Sequence, residues 1–344
     1  MPDLTTPLCR RLGITAPVVQ APIGSATTPE LAAAVSAAGG LGTLALTWAT
    51  VDESRERIRR VRRLTDRPFG VNLVLDFPVA EHLAACLDEG VPVLSTFWGD
   101  PGRVHPAIRA AGALHVHSVG SVAEARRAAE VGVDAVVAQG WEAGGHVRGE
   151  VATMALVPAV VDAVHPVPVL AAGGIADGRG LAAALALGAQ AGWLGTRFVA
   201  AAEAGSHPVY RDRVLAATVA DTVHTRCFDG GWPDAAHRVL RNTTLDHWVE
   251  AGSPAAPDRP GEGDVLATDA RGREHLRYGD VIPLPGMTGR LDELALYAGQ
   301  SAGGIHSVAP AAEIVETLLR EATAALRHAG GRVIGVPAGG LSPR

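Results

Sequence analysis

The rhythm of the chain constrains its fold more than any single motif does. From residue 17 to about 196, short β-prone apolar runs alternate with helical stretches. The runs are "VVQA" (Val18–Ala21), "GTLAL" (Gly42–Leu46), "GVNLV" (Gly70–Val74), "VPVLST" (Val91–Thr96), "ALHVHS" (Ala113–Ser118), "DAVVAQ" (Asp134–Gln139), "VPVLAA" (Val167–Ala172) and "AGWLGT" (Ala191–Thr196). Each unit takes about 20 to 30 residues, and strands that alternate with helices pair in parallel. Eight such units match a closed (β/α)8 TIM barrel, with an open doubly wound sheet as the structural alternative. Helices are expected over Pro29–Ala38, Val51–Leu64 and Leu181–Leu187. Thr28-Pro29-Glu30 places proline at a first helical position, and Ser121 with Glu124 reads as a capping box.

After Phe198 the rhythm breaks. The stretch 205–291 mixes arginines, aromatics and the Pro/Gly-rich loop "AGSPAAPDRPGEGDV". It reads as an inserted, mostly helical lid over one face of the barrel. "LDELALYAGQSAGGI" and "PAAEIVETLLREATAALRHAG" then return to helix. The barrel domain is therefore expected over 1–204 and 292–344, with the tail after Gly330 loose.

Composition excludes several functions. Of the 344 residues, 47% are hydrophobic and 19% charged, enough for a large core. Net charge is −6, and no basic run is interleaved with aromatics, which argues against a nucleic-acid partner. Arg55, Arg57, Arg59, Arg60, Arg62 and Arg63 fall in a helical pattern with Ile58, Val61 and Leu64, so they read as a solvated helix face. Cys9, Cys86 and Cys227 lie far apart, without metal-ligand spacing, and fit a reducing compartment. No leader-like or membrane-spanning apolar run is visible, so the expected location is the cytoplasm, with no membrane partner. The sequence holds no lysine. Schiff-base, lysine-base and P-loop chemistry are thereby removed.

In a barrel of this kind the site lies at the C-terminal ends of the strands. Those ends carry Gln20-Ala21-Pro22-Ile23, Thr47 and Trp48, Asn72, Thr96-Phe97-Trp98, His117-Ser118, Gln139, Gly173-Gly174 and Gly195-Thr196. The run "LAAGGIADGRGLAAALALGA" leaves a strand through a Gly-Gly turn and enters a helix. Glycine lets backbone approach an anion, and N–H groups with the helix dipole stabilise it. "WLGTRF" supplies a second such turn on the adjacent strand. A phosphate there, beneath a mouth of Asn, Gln and Trp, suggests FMN. The G-x-G-x-x-G fingerprint of a Rossmann domain is missing after the first strand. Trp48, Phe97, Trp98 and Trp141 read equally as an apolar substrate wall or as ordinary packing.

"VAQGWEAGGHVRGE" sets a lone histidine, His146, behind two glycines after the sixth strand. With no HxxH or HxxE partner, it does not read as a metal ligand. It reads as a base near neutral pH, or as a turn-capping residue. His117, at a strand end, is a lesser candidate; the other histidines read as surface or packing residues.

"QAPIGSATTPELAAAVSAAGGLG", "VAQGWEAGGH", "LAAGGIADGRGLAAALALGA", "GTRF" and "YAGQSAG" together resemble the motif set of the nitronate monooxygenases, formerly 2-nitropropane dioxygenases. The resemblance runs over nearly the whole chain. It implies a TIM barrel, non-covalent FMN, and oxidation of alkyl nitronates such as propionate 3-nitronate, or of nitroalkanes, by O2 to carbonyl compounds and nitrite. It places the catalytic histidine on His146. The flavin ring would lie against Ala21, Pro22 and Ile23, near Asn72 and Gln139, with Gly144 approaching it. Gly173, Gly174, Gly195 and Thr196 would hold the phosphate, Trp193 and Leu194 would add backbone contacts, and Gln300 would return to the same face. Many FMN barrels set a lysine beside the flavin. With none here, Gln139 is the first candidate to stabilise an anionic ring. The related FMN-dependent enoyl-acyl-carrier-protein reductases share much of this motif set, so an enoyl-thioester reductase using NAD(P)H is the competing expectation. A flavin-binding redox sensor is a third, and homodimerisation is left open. "STFWGDP" and the insertion favour the monooxygenase reading.

Overall fold

In the computed structural model of the protein, residues 4–333 are described. The tail beyond 333 lies outside the described residues. Eight parallel strands form the centre: β1 (Val18–Gln20), β2 (Gly42–Ala45), β3 (Phe69–Val74), β4 (Val93–Phe97), β5 (Leu114–Val119), β6 (Ala135–Gln139), β7 (Val169–Ala172) and β8 (Ala191–Leu194). Their order around the sheet is β1-β8-β7-β6-β5-β4-β3-β2. The seam between β1 and β2 is closed by a parallel bridge of Val19 with Leu41. Leu41 N–H donates to Val18 O (3.0 Å), and Gln20 N–H donates to Leu41 O (2.9 Å). The wholly buried Gln20 side chain reinforces that seam: its Oε1 accepts from Thr43 N–H at 3.0 Å and its Nε2 donates to Thr43 O at 3.3 Å. A barrel, not an open sheet, is the result.

Successive strand residues point to opposite faces. Val137 packs inside the barrel with Val19, Val116, Leu170 and Trp193. Its neighbours Val136 and Ala138 pack outside, against Leu156, Val157 and Val160 of helix Thr153–Val164 and Ile314 and Leu318 of helix Ala311–Val333. Leu170 is wholly buried, and such a side chain is worth about 2–5 kcal/mol against alanine.

The helix starts follow local chemistry. Thr28 caps helix Pro29–Ala37 by accepting from Leu31 N–H at 2.9 Å. Ser121 accepts from Glu124 N–H at 3.2 Å, but Glu124 reaches back to Gly120 N–H (2.8 Å), one residue short of a capping box. The full box sits at Thr50 and Glu53, at the start of helix Val51–Leu64. Ile58 and Val61 of that helix are buried, while Arg55, Arg59 and Arg60 pair outward with Asp88, Glu89 and Glu30.

The stretch 205–291 differs from the expected mostly helical insertion. It holds helices Pro208–Ala216 and Thr243–Glu250, with as much strand: Thr222–Thr225, His237–Leu240, Val265–Thr268, Glu274–Leu276 and Thr288–Gly289. The strands are short and pair antiparallel, partly with residues far away in sequence, so no local period announces them.

Candidate active site at the barrel mouth

The loop leaving β6 is held by the insertion. Gly145 and His146 form a short strand antiparallel to His237–Leu240, with His146 opposite His237 and Gly145 opposite Arg238. Val147 N–H extends the ladder by donating to Ala236 O at 2.9 Å. At the barrel end of the loop, Gln139 Nε2 donates to His146 O at 3.0 Å.

The His146 ring lies 4.3 Å from that of Trp232, 5.4 Å from Tyr297 and 5.5 Å from His237, centroid to centroid. Its Nε2 is buried and has no hydrogen-bond partner. Burial, with a smaller contribution from His237, lowers its pKa to about 3, so the imidazole is neutral near pH 7. His237 cannot serve in its place. Its Nε2 accepts from Phe228 N–H at 3.2 Å, which puts the ring hydrogen on Nδ1, 2.9 Å from Ala235 O.

Aromatic side chains roof this histidine. Trp232 packs at 4.7 Å on Trp98 and 5.2 Å on Phe77, and Phe77 packs at 5.4 Å on Trp48. Phe97 meets Trp98 edge-on at 5.8 Å. Trp141 does not join them. It lies 4.1 Å from His224, with the Arg238 guanidinium 5.2 Å from its centre. Trp232, Phe77 and Tyr297 were not singled out by the sequence reading. "GGWP" was the visible trace of Trp232, a large apolar side chain behind two glycines in an otherwise polar loop.

The glycine turns after β7 and β8 divide into two kinds. Gly174 has φ +73°, and a Cβ there would meet nothing nearer than Glu142 Cβ at 3.9 Å. The N–H groups of Gly173, Gly174 and Gly195 find no acceptor among the described residues. Thr196 Oγ1 accepts from Gly299 N–H at 3.0 Å, which leaves its hydroxyl hydrogen to donate. The following helix, Gly178–Ala186, departs from the expected anion site. Asp177 accepts from Arg179 N–H (2.9 Å) and Gly180 N–H (3.3 Å), and Glu321 accepts from Gly178 N–H (3.0 Å). Two carboxylates already occupy that N-terminus, so turn amides, not the dipole of that helix, are what an anion could meet.

Gly144 must be small whatever lies above it. A Cβ there would lie 2.3 Å from Gly299 N and 2.5 Å from Ala298 C. The loop after β6 is pressed backbone to backbone against "YAGQSAG", and Gln300 N–H donates to Glu142 O at 2.9 Å. Gln300 is thus joined through its backbone to the loop that carries His146. Asn72 is buried and donates Nδ2–H to Ser95 Oγ at 2.9 Å. Ala21 N–H is used by Leu194 O (2.8 Å) and Ile23 N–H by Thr27 Oγ1 (2.9 Å), while Pro22 has no N–H to offer. Trp193 fills the barrel interior, and Leu194 packs outward against the helices. Gln139 also departs from expectation. Its Nε2 is taken by His146 O, and the atom left buried and unpartnered is the acceptor Oε1.

Residues 5–82 and 77–321 match the family model described as nitronate monooxygenase. The chain belongs to the nitronate monooxygenase family. The nitronate monooxygenase of Pseudomonas aeruginosa is 35% identical, covering 92% of this chain and 99% of its own. A (3aS,4S,5R,7aS)-5-hydroxy-7a-methyl-1-oxo-octahydro-1H-indene-4-carboxyl-CoA dehydrogenase of Mycobacterium tuberculosis is 42% identical over 73% of this chain and 70% of its own. Among solved structures, FabK from Thermotoga maritima superposes with a TM-score of 0.78 at 35% identity, covering 95% of this chain and 99% of that one. Family membership makes the protein an oxidoreductase on a TIM barrel, in keeping with the motif resemblance. No helix among the described residues is long and apolar enough to cross a membrane.

Proposed function

We propose that this nitronate monooxygenase family member uses FMN and O2 to oxidise small alkyl nitronates, such as propionate 3-nitronate, to carbonyl compounds and nitrite. The observation that carries the reading is the buried, unpartnered Nε2 of His146 under the aromatic roof of Trp232 and Trp98. The turns after β7 and β8 fit a phosphate. Their N–H groups lack acceptors, and Gly174 opens onto free space. Gly173, Gly174, Gly195 and Thr196 would hold that phosphate, and Ala21, Pro22, Ile23, Asn72 and Gln139 would border the ring, with Gln300 beside them. FMN, when bound, supplies the electron-accepting chemistry. The unpartnered Oε1 of Gln139 suits an N–H of the ring rather than an anionic oxygen.

The chain's own part is binding and proton handling. Trp232 and its aromatic neighbours exclude water from the His146 imidazole. A nitronate arrives without its α-proton, so His146 positions it. A neutral nitroalkane must first lose that proton, and His146 is the group that can accept it. Burial disfavours the imidazolium that results, and the nitronate charge formed beside it offsets that penalty.

A second reading, oxidoreduction of an acyl thioester with NAD(P)H, draws on the 42%-identical relative, which is named for a carboxyl-CoA. Aerobic assay of the purified protein on propionate 3-nitronate, with and without NADH, separates the two. Nitrite release without NADH is expected. No nitrite, together with NADH oxidation that requires an enoyl thioester, would overturn the nitronate reading.

A further inference from the structure

Between the barrel wall and the helices outside β4 and β5 runs a buried chain of hydrogen bonds that the barrel mouth does not use. His105 Nδ1 and His115 Nδ1 lie 3.1 Å apart, His115 Nε2 and Thr96 Oγ1 2.8 Å, and Thr96 Oγ1 and His117 Nδ1 2.7 Å. All four residues are buried. Burial lowers the pKa of His115 to about 3 and of His117 to about 4, so both rings are neutral near pH 7. The chain runs from His105 at one end to His117 at the other. The Nε2 of His105 is sealed with no partner. The His117 ring lines an open cavity of about 490 Å³. His117 is thus the member of the chain that meets the cavity.

Two arginines line the same cavity as His117. Arg148 is bonded to Glu124 at 2.8 Å, and Arg127 lies 3.7 Å from Asp100; all four line the same cavity. These pairs are half-exposed, and such pairs are worth about 0–1 kcal/mol, so either arginine can turn to a better anion at little cost. The carboxylates would not be stranded. Glu124 also accepts from Gly120 N–H at 2.8 Å, and Asp100 from Gly102 N–H at 3.1 Å. The Arg148 guanidinium lies 5.4 Å from the centre of the Trp98 ring, which offers a planar surface for a ring to stack on. The cavity falls in the usual range of small-molecule sites, about 300–1,000 Å³, and exceeds what a bare ion would need. Trp98 is also the wall it shares with the roof over His146.

We propose that this cavity is a second ligand site that takes the phosphate end of a nucleotide, held by the imidazole of His117 and the guanidinium groups of Arg148 and Arg127. Two co-substrates bring that chemistry, a nicotinamide dinucleotide and a coenzyme A thioester. Titration calorimetry on the purified protein as expressed tests it, with 5′-AMP, 2′,5′-ADP, 3′,5′-ADP and inorganic phosphate as probes. Binding of at least one nucleotide is expected, weakened about tenfold or more in Arg148→Met by loss of a charge-assisted bond. Arg148 lies at the surface, so that variant keeps its fold; His117→Phe should lose binding to the same extent. Preference for 3′,5′-ADP assigns the site to a coenzyme A carrier. Preference for 2′,5′-ADP or 5′-AMP assigns it to a nicotinamide dinucleotide. Phosphate binding as tightly as every nucleotide, nucleotide affinity unchanged in Arg148→Met, or no heat with any probe would each overturn the proposal. The readout is binding, so it stands or falls apart from nitronate turnover.

Discussion

At the scale of single residues, the roles proposed for His146 and Gly174 can be tested most sharply. His146→Asn should lower turnover of a neutral nitroalkane by about 10²–10⁴, the usual span for a general base. Turnover of the preformed nitronate should fall far less, because its proton is already gone. Equal losses on both substrates, measured on one flavin-loaded preparation, would make His146 a binding group only. Since its pKa is lowered to about 3, the wild-type kcat/KM for nitronate should show no histidine limb near pH 6.5. Gly174→Asp sets a carboxylate among the unpaired amides where the phosphate is proposed to lie. Like charges in a partly desolvated turn cost several kcal/mol. FMN binding should be lost while the far-ultraviolet circular dichroism stays that of the wild type; retained FMN would put the phosphate elsewhere.

At the scale of elements, one short ladder joins the two parts of the chain. The strand that bears His146 is paired to His237–Leu240, and the loop carrying Trp232 lies just before that partner. Trp232→Ala removes the ring packed, tilted, against His146. Aromatic contacts of this kind are worth about 0.5–1.5 kcal/mol beyond area, so KM for a small nitronate should rise up to about tenfold. Bulkier nitronates should gain relative to small ones, and Trp232→Phe should restore most of the original preference. Steady-state kinetics over a series of nitronate chain lengths checks this; an unchanged preference would remove Trp232 from the substrate wall.

At the scale of the whole molecule, buried histidines tie stability to pH. His115, His117, His146 and His237 are all depressed by burial, to about 3 or 4, from an ordinary value of 6.5. The unfolded chain takes up these protons near pH 6.5, and the folded chain holds them off until about 3 or 4. Their contribution is present above pH 6.5 and is lost as pH falls toward 4. The melting temperature should therefore begin to drop between pH 7 and 5, above the carboxylate range, and a flat profile there would contradict the burial of these rings. The barrel was legible in the sequence because each strand and helix is set by neighbours in the chain, as Thr28 and Pro29 set their helix. The glycine turns and His146 were legible from motif and position. The neighbours of His146 were not, since Trp232, His237 and Tyr297 reach it by pairing across long separations. Nor was the reason for Gly144, which answers to Gly299 at the other end of the chain.

The ladder beneath His146 also imposes an order on synthesis. The ribosome delivers Gly145 and His146 with β6, long before His237–Leu240 exists to pair with them. Domains fold as they emerge, N-terminal parts first. The barrel wall can close once β8 is out, yet the histidine strand has no partner until the insertion has left the exit tunnel. The order of synthesis therefore sets the strand of His146 in place late: its position is fixed only when the insertion has been made.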